Sequence, residues 1–243
     1  MITERLTDNL LDISIDKYDI ESLYERVCNI ATEKLNFIYI GRYAYEPIWK
    51  LQKKIHKAVK NHKIGNVILF LEHEHVYTFG KNSDEDYLLN SYPKNIEVIH
   101  SDRGGQVTYH GPGQLIGYPI INLNDFTKSV SWYMRSLEDV IITTLKELNI
   151  NANKKEGMTG VWVNDEKICA MGVRLSRWIT MHGFALNLKP NMSFYDSMIP
   201  CGIQEYGITS IYDLVSQELT LTEMSEKIAK NFIEIFKGVS EEI

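Results

Sequence analysis

The apolar positions of the chain change period several times, and each change marks an element. Ile20-Glu-Ser-Leu-Tyr-Glu-Arg-Val27 followed by Ile30-Ala31 repeats at helical spacing, so residues 1 to 36 are expected to form a helical N-terminal extension. Phe37 to Ile40 predicts a first strand. Pro47 then opens a helix to about His62 that carries Ile48, Leu51, Ile55 and Val59 on one stripe. Short apolar runs at Val67–Glu72, Val76–Phe79, Ile96–His100 and Leu115–Asn122 predict strands. Ser129 can cap a long helix to about Leu148, buried along Val130, Met134, Leu137, Val140, Ile141, Thr144, Leu145 and Leu148. Residues 160–163 and 167–173 flank Asn164-Asp165-Glu166 as a hairpin, with Lys167 opening the returning strand. A strand over Ile179–Leu188, a short helix from Thr209 and a final amphipathic helix capped by Thr222, with Met224, Ile228, Phe232 and Ile235 inward, complete the pattern. Strands and helices in this irregular order predict an α+β (mixed α/β) fold, with mixed sheets flanked by helices, rather than a regular doubly wound sheet.

Composition narrows the function. The 243 residues carry a net charge of −6, which argues against a general nucleic-acid binder. The longest apolar runs, Asn66–Leu71 and Leu115–Ile121, fall far short of the ~20 residues of a membrane helix, and no basic-then-apolar leader opens the chain. Three cysteines, Cys28, Cys169 and Cys201, lack metal-ligand spacing and suit a reducing compartment, so a cytoplasmic protein with free thiols is expected.

One of those thiols has the setting of a nucleophile. Cys201 stands between Pro200 and Gly202, a turn sequence, and Lys167 is a candidate partner charge. Bringing a thiol of pKa about 8.5 near 7 takes roughly 2 kcal/mol, which one desolvated ammonium can supply. Cys169, two positions from Lys167 on a predicted strand, shares its face by alternation, and its Ile and Ala neighbours suit a small core residue. The second unusual segment is Arg103-Gly104-Gly105-Gln106-Val107-Thr108-Tyr109-His110-Gly111-Pro112-Gly113-Gln114. Glycine at that density costs conformational entropy unless the backbone approaches something closely, and a ligand is the expected something. His73 and His75 are spaced to share one side of a strand, but no third metal ligand accompanies them, and no metal is expected. Arg174, Arg177 and Trp178 form a basic-aromatic cluster, read either as a solvated strand end or as a docking patch for an acidic carrier protein.

Four motifs together, the Arg103–Gln114 segment, Lys167 in Lys-Ile-Cys-Ala-Met-Gly172, His182-Gly-Phe-Ala-Leu-Asn187 and Pro200-Cys-Gly202, resemble the lipoyl(octanoyl) transferases in content, order and spacing over about Phe37 to Val215. That resemblance implies a biotin/lipoate protein ligase-like catalytic domain, here 37–243, and an enzyme that moves an octanoyl group without a cofactor. The implied donor is octanoyl-acyl carrier protein. The implied acceptors are lysines of the lipoyl domains of 2-oxoacid dehydrogenases and of the glycine cleavage H protein. It implies a Cys201/Lys167 dyad with an acyl-thioester on Cys201, and substrate-lining segments at Arg103, Gly104, Gly105, Gln106, Val107, Thr108, Tyr109 and His110, at Ala170, Met171 and Gly172, and at Gly183, Phe184 and Ala185. Backbone N–H groups near Gly104-Gly105 or the Cys201 turn, with His110, are candidate oxyanion donors. Two departures touch the rim: His73-Glu74-His75 stands where His-Pro is common, and Phe184 where Leu is usual. Two other readings are an ATP-dependent lipoate or biotin ligase, against which Pro200-Cys201-Gly202 speaks, and a binding module that has no need of the dyad.

Overall fold

A computed structural model describes residues 4–5, 10–14, 18–81, 83–199 and 206–237. The strands are β1 (Glu4–Arg5), β2 (Leu10–Asp12), β3 (Leu35–Tyr43), β4 (Asn66–His73), β5 (Val76–Phe79), β6 (Glu97–His100), β7 (Thr108–His110), β8 (Gln114–Ile120), β9 (Asn153–Lys155), β10 (Met158–Val163), β11 (Glu166–Ser176), β12 (Ile179–Asn187) and β13 (Gly207–Ile208). The helices are α1 (Ile20–Ile30), α2 (Tyr45–Lys60), α3 (Val130–Lys146), α4 (Ile211–Leu214) and α5 (Leu221–Lys237).

A large mixed sheet runs β1-β2-β3-β4-β8-β12-β11-β10-β9, with β13 pairing β11, and a small sheet runs β6-β5-β7. The fold class is the mixed α+β arrangement that the sequence predicts. β4, β8 and β12 are buried at every position, which is why their sequences read as nearly continuous apolar runs rather than alternating ones. Side chains of β3, β4, β11 and β12 on one face pack against α3 and α5 in a core that includes Phe37, Phe70, Val140, Ile141, Ile168, Leu186 and Phe232. On the other face, α1 and α2 close a second core around Leu23, Val27, Ile48, Leu51, Ile55, Leu69 and Ile116.

Helix ends obey the capping chemistry, with small shifts. Ser129 accepts from the Trp132 N–H at 3.2 Å and starts α3 as expected. α2 begins at Tyr45, placing Pro47 in the first turn, where a missing N–H costs no bond. α5 is capped by Thr220, not Thr222: Thr220 Oγ1 accepts from the Glu223 N–H at 3.1 Å while Glu223 Oε2 accepts from the Thr220 N–H at 2.7 Å, a reciprocal box. The N-terminal segment differs more from its expectation. α1 forms, capped by Asp19, but β2 also pairs in parallel with β3, so the segment extends the main sheet as well as the helical layer.

Candidate active site

A cavity of about 300 Å³ opens between the two sheets, with β11 and β12 as its floor and β7 and the Arg103–Val107 loop as its roof. The floor is shallow because its side chains are small: Ala170 pairs with Ala185 and Gly172 with Gly183 across β11 and β12. The roof lies directly on that floor at one end. The Gly104 N–H donates to the Val173 carbonyl at 3.0 Å, and a Cβ on Gly172 would sit 2.6 Å from the Gly104 carbonyl oxygen. Close backbone approach is therefore the requirement that glycine meets at 172.

Arg103 holds the roof in place. It is 7% exposed, and its guanidinium donates to the Thr78 hydroxyl (2.9 and 3.2 Å), the Thr78 carbonyl (2.5 Å) and the Gly104 carbonyl (2.9 Å), tying the loop to β5. From Thr78 the network continues inward. His110 Nδ1 donates to Gln114 Oε1 at 2.8 Å, so its Nε2 is the acceptor facing the Thr78 hydroxyl at 3.3 Å. Gln114 Nε2 donates to Asn187 Oδ1 (2.9 Å) and the Tyr195 hydroxyl (2.7 Å), and Asn187 Nδ2 donates to the Thr209 carbonyl (3.0 Å). The Thr209 N–H in turn donates to the Lys167 carbonyl at 3.1 Å. One continuous hydrogen-bond chain thus links Arg103 to the backbone of Lys167. The same bonds remove two of the expected oxyanion donors, because the Gly104 N–H and His110 Nδ1–H are already committed.

Lys167 lines the opposite end of the cavity and is 8% exposed, with Nζ 4.7 Å from the centre of the Trp162 ring. A register shift in the β10–β11 ladder between Val161 and Trp162 accounts for its direction. Simple alternation would put Lys167 and Cys169 on one face; instead Cys169 packs in the α3/α5 core and burial pushes its thiol pKa up, away from nucleophilic use. Gly160, at φ 118°, leaves the room: its missing Cβ position is 3.5 Å from Lys167 Cε. Buried Glu138 accepts from the Gly160 N–H at 3.0 Å and fixes that irregularity from α3.

The expected site residues therefore fall into three groups. Lys167, Arg103, Gly105, Gln106, Val107, Thr108, His110, Ala170, Met171, Gly172, Gly183, Phe184 and Ala185 all line the cavity. Gly104 contributes only backbone to the roof, and Tyr109 turns the other way, fully buried with its hydroxyl 2.7 Å from His75 Nδ1. Cys201 lies outside the described residues. The lining also includes Tyr45, Tyr118, Asn187, Tyr195, Met198 and Ile208, which the sequence reading did not select. Only Asn187 had a signal, as the last residue of the His182–Asn187 motif. His73 and His75 do not act together: His73 donates to the Tyr43 carbonyl (3.0 Å) and accepts from the Tyr118 hydroxyl (2.8 Å), while His75 meets Tyr109.

Behind the roof, Asp102 accepts from His182 Nε2 (2.8 Å), Trp49 Nε1 (3.1 Å) and Arg174 Nη1. Burial acts to raise its pKa, but the His182 bond, the Arg174 charge and the Trp49 bond outweigh that and hold the carboxyl at about 2. Arg174, one member of the expected basic cluster, is thereby spent on an internal ion pair. Burial lowers His73 to about 4, lowers His110 well below the imidazole range and lowers His182 despite Asp102. The folded protein therefore keeps these rings neutral at pH values where the unfolded chain protonates them, below about pH 6.5. Stability is full above that pH and falls beneath it, by roughly 2 kcal/mol for a ring such as His73 at pH 5. Urea midpoints should be lower at pH 5 than at pH 7.5, and His73→Gln should narrow the difference; equal midpoints would contradict neutral rings.

Comparisons with known proteins bear on the family and the fold. Residues 44–233 match the family model of the lipoyl protein ligase A/B catalytic domain. An octanoyltransferase of Christiangramia forsetii is 42% identical over 220 residues, covering 82% of this chain and 94% of its own. Among solved structures, the bipartite lipoate protein ligase of Thermoplasma acidophilum, described with its E2 lipoyl domain, aligns at TM-score 0.60 and 14% identity, covering 81% of this chain and 83% of that one. The biotin protein ligase of Aquifex aeolicus aligns at TM-score 0.55 and 15% identity, covering 85% and 72%. Among the described residues, no helix is long and apolar enough to cross a membrane.

Proposed function

From the premise that the chain belongs to the lipoyl protein ligase A/B catalytic-domain family, we propose that it is an octanoyltransferase that passes an octanoyl group from a carrier thioester to a lysine of an acceptor domain through Cys201. The observation that carries this reading is the placement of Lys167 inside the cavity, 8% exposed and next to Ile208 on β13. Met198 and Ile208, on either side of Cys201 in sequence, line the same cavity. The domain reading, 37–243 as the catalytic unit with residues 1–36 as an added segment, belongs to the same proposal.

In the first step the Cys201 thiolate attacks the donor thioester carbonyl. The new S–C bond forms, the donor C–S bond breaks, and the carrier sulfur leaves as a thiol by taking the proton of the Lys167 ammonium. In the second step the acceptor amine attacks the cysteinyl thioester; the C–N bond forms, the C–S bond breaks and the cysteine departs as a thiolate. Lys167 faces that thiolate as an ammonium and, once deprotonated, accepts the proton of the incoming amine. No nucleotide enters either step. The small floor residues Ala170, Gly172, Gly183 and Ala185 leave the slot in which the acyl chain lies, worth roughly 5 kcal/mol at about 0.8 kcal/mol per buried methylene. The proposed donor is octanoyl-acyl carrier protein, the proposed acceptors are lipoyl domains of 2-oxoacid dehydrogenases and the glycine cleavage H protein, and the proposed setting is the cytoplasm.

The reading is tested by mixing the protein with octanoyl-acyl carrier protein and an unmodified lipoyl domain without nucleotide. The domain should gain an octanoyl group. Transfer only from free octanoate with ATP would assign the chain to adenylating ligases instead.

A further inference from the structure

Next to Lys167, but outside the cavity wall, two aromatic rings form a corner. Trp162, 2% exposed, and the half-buried Tyr206 meet with centroids 5.4 Å apart and planes at 69°. A lysine occupies it. Lys155 Nζ lies 3.6 Å from the Tyr206 centroid, 5.1 Å from that of Trp162 and 2.6 Å from Asp165 Oδ1. Although Lys155 ends β9, the edge strand of the large sheet, only 24% of its side chain is exposed. A lysine gives up substantial rotamer entropy to lie so, and the return is ring quadrupoles and a carboxylate aimed at one ammonium. The chemistry is that of a primary-ammonium site.

Its position gives it a use. Trp162 also carries Lys167, so the corner and the proton acceptor share a wall. Gly157, Met158 and Thr159, just beyond Lys155, line the cavity, as does Ile208 just beyond Tyr206. We propose that Trp162, Tyr206 and Asp165 form the entry subsite for the ammonium of the acceptor lysine, and that Lys155 occupies it as an internal competitor in the resting protein. This rests on the acyl-transfer reading and adds to it where the second substrate waits. The acceptor ammonium displaces Lys155 and is held against the shared indole; it loses one proton to solvent to become the attacking amine, and the second passes to Lys167 as the C–N bond forms. Asp165, 78% exposed, presents its carboxylate at the surface, within reach of a protein-borne lysine.

The test separates the two half-reactions. Acylation is read by intact mass with octanoyl-acyl carrier protein as donor, and acceptor use by steady-state transfer from the same donor to a lipoyl domain. On a Lys155→Gln background, where no internal ammonium competes, Tyr206→Leu should raise the acceptor KM about tenfold while the acylation rate stays within about twofold, the loss of one cation–ring contact. Asp165→Asn should shift the acceptor KM the same way there, and Lys155→Gln alone the opposite way, because it removes the competitor. If Lys155→Gln raises the acceptor KM as Tyr206→Leu does, the corner is only a latch for the β9–β10 hairpin and the proposal fails. It fails equally if Tyr206→Leu slows acylation and transfer alike. Should Tyr206→Leu not fold, the opposed signs expected of Lys155→Gln and Asp165→Asn decide. Wild-type protein that is never acylated would instead refute the acyl-transfer reading itself.

Discussion

Cys201→Ser is expected to reduce transfer of octanoate to a lipoyl domain by on the order of a thousandfold or more, with the fold intact. The reason is chemical rather than steric. A hydroxyl replaces the thiol at nearly the same size, but a single neighbouring ammonium cannot ionise an alcohol, whereas a thiol is already a few per cent thiolate at neutral pH. The oxygen ester, if it formed, would also be a poorer acyl donor than the thioester. Initial rates of domain octanoylation measure the effect, and circular dichroism confirms that the variant folds. A variant that transferred at the wild-type rate would remove Cys201 from the mechanism.

The second large effect belongs to Lys167. Lys167→Ala should lose about a hundredfold or more of transfer, since in the proposed mechanism it removes both the cation that stabilises the thiolate and the acceptor of the amine proton. Lys167→Arg separates those roles. A guanidinium keeps the positive charge but does not give up its proton, so acylation of Cys201 should survive better than transfer to the acceptor amine. Single-turnover acylation and aminolysis, measured on each variant, resolve the split. Equal loss in both steps for Lys167→Arg would show that only the exact placement of the lysine stem matters. Unchanged activity in Lys167→Ala would exclude it altogether.

How far the sequence led is clearest residue by residue. The strands and helices were legible because the apolar period switches plainly between two and 3.6, and turn chemistry marks their ends. Asn164 illustrates this: it takes φ 53° in the β10–β11 turn, a conformation that asparagine tolerates. β2 was not legible, since a strand of three residues carries too little periodicity to register. Thr220 and Thr222 both precede the same apolar stripe, and only the reciprocal bond with Glu223 selects the first. In the site, the glycine-rich roof announced itself by a composition unusual for a core, whereas the floor segments at Ala170–Gly172 and Gly183–Ala185 were implied by the family resemblance. Tyr45, Tyr118 and Tyr195 did not, because their roles depend on contacts between residues far apart in the chain, such as Gln114 with Tyr195 at 2.7 Å. Cys169 and Lys167 show the limit of strand alternation. The register shift at Val161/Trp162 turns them to opposite sides, and it is set by Gly160 and Glu138 rather than by the two residues themselves.

The central claim is a covalent one, and intact-protein mass spectrometry after incubation with octanoyl-acyl carrier protein tests it most directly. The account predicts a gain of one octanoyl group, mapped to the peptide containing Cys201, released by hydroxylamine at neutral pH and lost when an unmodified lipoyl domain is added. No adduct, an adduct on another residue, or one that the lipoyl domain cannot discharge would contradict it.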